Sequence, residues 1–241
     1  MSTYVYTNLH DGWAELVLNR PERRNSLIPP LFAEVIEAIA QLDDEDEISA
    51  IVLRGEGSYF CSGIDLKALQ HEPPPDWAGA PVSDARSMHL ALYHCQTPLI
   101  AALESFAINA GAALAFACDL IVGGKKAFLQ IGEIQQGAGI PMNAAWLKIK
   151  TSEFNSARLA LLGDRVSTDE LMALGLINEC VPDDQVVGRC YDIARQIAAF
   201  PAGAAKQIKQ SLIAQRGIGD PEKFFPVGGG AALKTAAMVK G

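Results

Sequence analysis

The chain has 241 residues, 49% of them apolar and 20% charged, with a formal net charge of −8. That is enough chain for one sizeable core, and it excludes a disordered protein. Lys and Arg number 20 against 28 Asp and Glu, which argues against nucleic acid or an anionic membrane as partner, although a local basic patch can still hold an anionic ligand.

The N-terminal MSTYVYTNLHDGW has no basic region followed by an apolar one, so no secretory signal is expected. Residues 4–7 and 13–18 are β-rich runs separated by His10-Asp11-Gly12, and Asp-Gly between such runs predicts a hairpin. The loop NRPERRNSLIPP follows. Pro29-Pro30 can open a helix, and Leu31, Val35, Ile39 and Leu42 recur at helical spacing up to the acidic run 43–47. Residues 50–53 read as a short buried strand. Gly55 and Gly57 turn the chain into SYFCSGIDLKAL, where Gly63 marks an exposed amide corner and Asp65 a helix N-cap with a structural role. Residues 71–84 contain PPP and PVSD and read as a surface excursion, whose Trp77 either covers a ligand or packs the loop. Residues 85–95 read as a helix that stops before Pro98.

The stretch from Pro98 to Pro141 organises the rest. PLIAAL and ESFAINAGAALAFACDLIVGG read as a strand, a tight turn and an Ala/Leu helix, and QIGEIQQGAGIP is a polar, glycine-rich segment that carries one acid, Glu133. The longest apolar run, 106–118, includes Asn109; it is too short for a membrane span and reads as a buried helix. Residues 144–162 give one or two helices. Ser167-Thr168-Asp169-Glu170 caps another, closed by Gly175. Val181-Pro182-Asp183-Asp184 precedes a helix to about Phe200, and 201–214 is a further helix. Gly228-Gly229-Gly230 leads into a small apolar tail that can pack on a neighbouring subunit. Strands dominate the first half and helices the second, so the fold class is α/β, with a core over 1–198 and a helical part over 199–241. The cysteines Cys61, Cys95, Cys118, Cys180 and Cys190 form no C-x-x-C pair, and their scattered apolar settings predict reduced thiols in the cytoplasm.

The chemistry starts from two glycine corners. Ser62-Gly63-Ile64 leads into the helix capped by Asp65, and Asn109-Ala110-Gly111 leads into the Ala/Leu helix. Each can offer a backbone N–H near a helix start. Two such donors on one thioester oxygen would form an oxyanion hole, in which a single donor is worth about 10²–10³ in rate. Glycine at a helix entry is also ordinary, so either corner alone says little.

In order and spacing, LNRPERRNSL, FCSGIDLKAL, PLIAALESFAINAGAALAFACDLI, GEIQQG and LGLINECVPDD resemble the crotonase superfamily, the enoyl-CoA hydratase/isomerase family, over about residues 5–200. The resemblance implies a crotonase-like spiral of ββα units. It implies a helical C-terminal part that supports homotrimers, often paired into hexamers. It also implies an acyl-CoA thioester as substrate and no metal or redox cofactor. The family's F-x-x-G-x-D motif falls on Phe60, Gly63 and Asp65, which makes Ile64 N–H the first oxyanion donor. The family's glycine run falls on Asn109, Ala110 and Gly111, which makes Ala110 N–H the second. The carbonyls around Ser62 and Ile64 would meet the adenine amino group, and Arg24 and Lys67 would lie near the CoA phosphates. Read without the family, Arg24 and Lys67 are solvated surface charges.

The catalytic acids depart from the hydratase pattern. Hydratases of this family carry one glutamate two residues after the last glycine of the run, where this chain has Ala113. The second lies fourteen residues after the Asp of A-C-D, and counting from Asp119 gives Glu133. Hydration needs a group to activate water and another to help deliver a proton. A single carboxylate suits a different step, removing a proton from C2 of a 3-enoyl thioester and returning it at C4, as in the family's Δ3,Δ2-enoyl-CoA isomerases. Glu104 lies too early and Asp119 at the helix end, so neither is an obvious substitute for the missing acid. In G-A-G-I-P, Pro141 comes four residues after Gly137, where hydratases have three, and Trp146-Leu147-Lys148 follows, loosely as in some isomerases. Three readings stand: an isomerase using Glu133 alone; a hydratase or another one-acid acyl-CoA enzyme such as a lyase or ring-opening hydrolase; and a non-catalytic acyl-CoA-binding protein.

Overall fold

The structure, a computed structural model, describes residues 3–69, 71, 73, 75 and 83–226. Trp77 and most of the 71–84 excursion, like the Gly228-Gly229-Gly230 tail, lie outside the described residues.

The elements in chain order are β1 (Val5–Leu9), β2 (Ala14–Leu18), α1 (Pro29–Asp44), β3 (Ile51–Gly55), α2 (Leu66–Leu69), α3 (Ser83–His94), β4 (Leu99–Leu103), β5 (Phe106–Ile108), α4 (Ala110–Ala117), β6 (Leu120–Gly124), β7 (Phe128–Gln130), α5 (Pro141–Lys150), α6 (Glu153–Leu162), β8 (Arg165–Ser167), α7 (Thr168–Ala173), β9 (Glu179–Val181), α8 (Val186–Ala198), α9 (Ala204–Ala214) and α10 (Pro221–Phe224). The predicted hairpin is β1 and β2, paired antiparallel. The two prolines open α1, and its Leu31, Val35, Ile39 and Leu42 share one buried stripe. Ser167 caps α7 by accepting from Glu170 N at 3.3 Å.

Sequence reading gave the second half to helices. The structure adds β6 to β9 there, because strands of three residues such as β7, β8 and β9 are too short to show a period.

The main sheet runs β1-β2-β3-β4-β6-β9, and the smaller one β5-β7-β8. From β2 onward the main sheet is parallel. Isolated parallel bridges from Leu27 to Ile64 and from Cys61 to Ala107 continue the smaller sheet beyond β5. The chain therefore makes repeated passes. Each lays β2, β3, β4 or β6 in the first sheet, then Leu27, Cys61–Ile64, β5 or β7 in the second, then enters α1, α2, α4 or the 3₁₀ turn at Glu133–Gln136. This is the expected spiral of ββα units.

The main sheet is buried on both faces, as parallel sheets require. Ile51, Leu53, Leu99 and Leu103 face the core shared with α1 and α4, while Val52, Ile100, Ala102 and Val122 face Val186, Cys190 and Ala194 of α8. Each fully buried Leu, Ile or Phe contributes on the order of 1.5–3 kcal/mol. Burial pushes the Cys61, Cys95 and Cys118 thiols up to about 12, consistent with inert packing residues. Lys209 reaches Asp119 at 2.7 Å and the Thr97 carbonyl at 2.9 Å, and Phe225 is buried against Trp146.

Candidate active site

The register of the smaller sheet brings the site together. Cys61 sits opposite Ala107, so three residues on Ile64 falls opposite Ala110. Phe106 sits opposite Phe128 and Ile108 opposite Gln130, and past that pairing Asn143 Nδ2 donates to the Asn109 carbonyl at 3.0 Å and to Glu133 Oε1 at 3.1 Å. Adjacent strands lie about 4.8 Å apart. Ile64, Ala110 and Glu133 thus each lie just past a second-layer strand segment of three successive passes, where the chain gives way to a helix or turn.

Two glycines permit this approach. A Cβ on Gly63, at φ +88, would stand 2.8 Å from the Ile108 carbonyl oxygen, and a Cβ on Gly111 would stand 2.4 Å from that of Cys61. Either contact would push the corners apart. Ile64 N and Ala110 N donate to no acceptor among the described residues. Ala110 opens α4, so its N–H is one of the helix's first donors without an intrahelical acceptor. The two N–H groups are therefore available to an incoming oxygen.

Asn109 sets the direction of the Ala110 N–H. It holds φ 53 and ψ −115, a conformation that glycine takes far more readily. Hydrogen bonds offset that strain. Its N–H donates to the Gln130 carbonyl at 2.7 Å, and its Oδ1 accepts from Gly132 N at 2.8 Å. Its carbonyl accepts from Ala112 N at 2.9 Å, Ala113 N at 3.2 Å and Asn143 Nδ2 at 3.0 Å.

Glu133 begins the 3₁₀ turn. Its Oε1 accepts from Asn143 Nδ2 at 3.1 Å, while its Oε2 is buried and has no partner. Burial raises its carboxyl above the ordinary value, and its own backbone N–H and the Asn143 amide offset that only in part. Such a group can carry a proton. Gln135, unexplained by the sequence, donates to the Gly163 carbonyl at 3.0 Å and ties this turn to the end of α6.

Two of the other acids are committed elsewhere. Asp65 caps α2 through Ala68 N at 3.0 Å and pairs with buried Arg20 at 3.0 Å, in keeping with a structural role. Asp119 accepts from Leu99 N and pairs with Lys209. Glu104 lines a cleft of about 680 Å³ with Tyr59, Phe106, Lys126 and Phe128, away from the two corners. Ala113 is fully buried in the core.

The expected CoA contacts are brought near the first corner. Arg24 lies opposite Cys61 when the Leu27–Ile64 pairing is extended back, and its carbonyl accepts from Ser62 N at 3.1 Å. The side chains of Arg24 and Lys67 are exposed and make no ion pair among the described residues. The Ser62 carbonyl has no donor among the described residues, whereas that of Ile64 already accepts from Leu66 N at 2.9 Å. Sequence reading missed Asn143. Its partner Asn109 lies 34 residues away, and only the presence of a polar side chain among apolar neighbours on α5 hinted at it.

Comparison with known proteins agrees with this arrangement. A family model described as enoyl-CoA hydratase/isomerase matches residues 9–222. A probable enoyl-CoA hydratase, EchA12, of Mycobacterium bovis is 31% identical over 207 residues, covering 83% of this chain and 73% of the relative. The 1,2-epoxyphenylacetyl-CoA isomerase of Escherichia coli is 27% identical over 216 residues, covering 88% and 82%. The crystal structure of an enoyl-CoA hydratase/isomerase from Xanthobacter autotrophicus superposes with a TM-score of 0.79 at 29% identity, covering 89% of this chain and 80% of that one. With that match spanning most of its length and the motif corners in register, the chain is an enzyme of the enoyl-CoA hydratase/isomerase family, within the crotonase superfamily.

Proposed function

We propose that this enzyme shifts a double bond in an acyl-CoA, from the Δ3 to the Δ2 position, through Glu133. The observation that carries this reading is the buried, unpartnered Oε2 of Glu133 at the corner where Ile64 N–H and Ala110 N–H lack acceptors among the described residues, while Asp65 and Asp119 are held in ion pairs. The thioester oxygen accepts from Ile64 N–H and Ala110 N–H. Glu133 Oε2 takes a proton from C2, which acidifies because the two N–H groups stabilise the dienolate oxygen. The electron pair moves from C2 through C3, and the same oxygen returns the proton at C4. Burial supports both steps, because it brings the carboxyl toward the range where base and acid are both accessible. Arg24 and Lys67 hold the CoA phosphates, and the Ser62 carbonyl accepts from the adenine amino group. The reaction needs no metal or redox cofactor.

One observation favours a second reading, hydration of a 2-enoyl-CoA. Asn143 Oδ1 is buried and unpartnered like Glu133 Oε2, and two such acceptors on hydrogen-bonded side chains can seat a water molecule. Assaying 3-enoyl-CoA and 2-enoyl-CoA side by side decides between them. Isomerisation without water addition supports the first reading, and loss of the 2-enoyl chromophore supports the second. Binding with neither reaction means a non-catalytic acyl-CoA binder. Glu133→Gln should cut isomerisation by about 10²–10⁴ while leaving CoA-ester binding intact; turnover like that of the unmodified enzyme would refute the proton-shuttle role.

A further inference from the structure

Asn143 lies on the buried face of α5 and is 2% exposed. Both hydrogens of its Nδ2 are used, one on the Asn109 carbonyl at 3.0 Å and one on Glu133 Oε1 at 3.1 Å. A flipped amide would set its oxygen against two acceptors, so the orientation is fixed by chemistry. One side chain thus spans the two halves of the site. On one side is the strained residue whose successor, Ala110, offers the oxyanion N–H. On the other is the carboxylate that moves the proton.

We infer that Asn143 is the positioning residue of this site. Its single amide holds Glu133 by Oε1, leaves Oε2 as the oxygen that carries the proton, and locks that carboxylate to the Ala110 N–H. This rests on the proposed proton transfer for its consequence in turnover, but the positioning itself is a property of the free protein. Few other groups compete for control of Glu133. No charged side chain contributes to its raised proton affinity. On the packed elements, Arg158 of α6 pairs with Glu170, Lys150 of α5 donates to the Cys118 carbonyl, and Lys148 of α5 and Glu153 of α6 are exposed. The Asn143 amide is the one side-chain donor to Glu133 among the described residues. It favours the ionised form and keeps the base competent despite its burial.

The experiment follows the Glu133 carboxyl by isotope-edited infrared or carbon NMR in the substrate-free protein, with Glu133→Gln to assign the signal. In Asn143→Ala and in the similarly sized, apolar Asn143→Leu, the Glu133 acid-dissociation constant should fall about tenfold, as expected for losing a donor to a carboxylate. In the same variants kcat on 3-enoyl-CoA should fall by about 10–100-fold, with KM changed less than about threefold, as misplacement of a reacting group predicts. The acid limb of the kcat profile should move to higher pH. In the unmodified protein, the Asn143 side-chain NH₂ resonances should move with the Glu133 titration, a readout that needs no variant to fold. A Glu133 titration identical in all forms, or Asn143 resonances indifferent to it, overturns the inference. If the unmodified enzyme turns over no 3-enoyl-CoA, the isomerase reading fails, while the titrations still decide the role of Asn143.

Discussion

Glu15 and Glu133 are both withdrawn from water, yet they end with opposite proton affinities. Glu15 is 3% exposed, and burial by itself would push its carboxyl up. The Tyr191 hydroxyl donates to it, as do Arg54 Nε at 2.8 Å and Asn8 Nδ2 at 2.7 Å, and together they bring it down to about 2. Glu133 receives one side-chain donor and keeps one oxygen bare, so burial prevails and its carboxyl rises. The sign of the shift is thus decided by the supply of donors, and burial alone does not predict it. Glu15 braces β2 against β3 through Arg54 and against α8 through Tyr191. Glu133 sits where the fold has left two acceptors and two N–H groups without partners, and unpaired polar groups at a helix entry are what a ligand can use.

The largest expected effect on this contrast comes from Glu15→Gln. Removing the charge leaves Arg54 with Glu56, at 3.3 Å, as its carboxylate partner, and should cost about 3 kcal/mol, or about 6–12 °C in melting temperature, with activity on 3-enoyl-CoA unchanged. The pH dependence has a definite sign. A carboxyl lowered to about 2 contributes stability that is fully present above its ordinary value of 4.5 and is lost as pH falls toward about 2. The gap between variant and parent in thermal melts should therefore be widest near neutral pH and close over that window. A gap that is constant in pH, or a loss of turnover, would break the assignment of Glu15 to stability alone.

Comparable in size is Gly63→Ala. The added methyl meets the Ile108 carbonyl at a positive φ, so the corner must open and the Ile64 N–H must turn from the thioester oxygen. A loss of about 10²–10³ in kcat is expected, about 2.7–4 kcal/mol in the barrier, while the protonation of Glu133 stays as it was. Retained kcat in the folded variant would mean that the oxygen is held elsewhere.

How much of this the sequence disclosed depends on how local each feature is. Ile64, Ala110 and Glu133 could be picked out as candidates because the family's motifs fall on them in the sequence, and Gly63 and Gly111 beside the first two are needed where backbones nearly touch. Ala113 was legible by counting. Asn109 gave a partial signal, since Asn tolerates positive φ better than most residues. Asn143 and the Glu15 cluster were not legible. The Tyr191–Glu15 bond joins residues 176 apart, and no local pattern encodes such a meeting. The same limit hid β7, β8 and β9, whose three residues find their places only through neighbours from other passes.

The smallest effect tests the contrast from the other side. If Glu133 is held for chemistry at the expense of stability, Glu133→Gln should stabilise the fold where Glu15→Gln weakens it. A raised carboxyl keeps its proton in the folded state at pH values where the unfolded chain has lost it. Stability of the parent therefore falls as pH rises from the ordinary 4.5 through the raised folded value, and is flat beyond. A neutral amide of the same shape escapes that loss. Above the window the variant should be more stable by about 1 kcal/mol, the low end of the cost of a buried unpaired acceptor, or about 2–4 °C. Below 4.5 the two should melt together. Melts taken across pH 4 to about 8 check this, and the direction matters more than the size. A variant that melts lower than its parent at the alkaline end would show that the carboxylate has a stabilising partner, and Glu133 would then belong with Glu15.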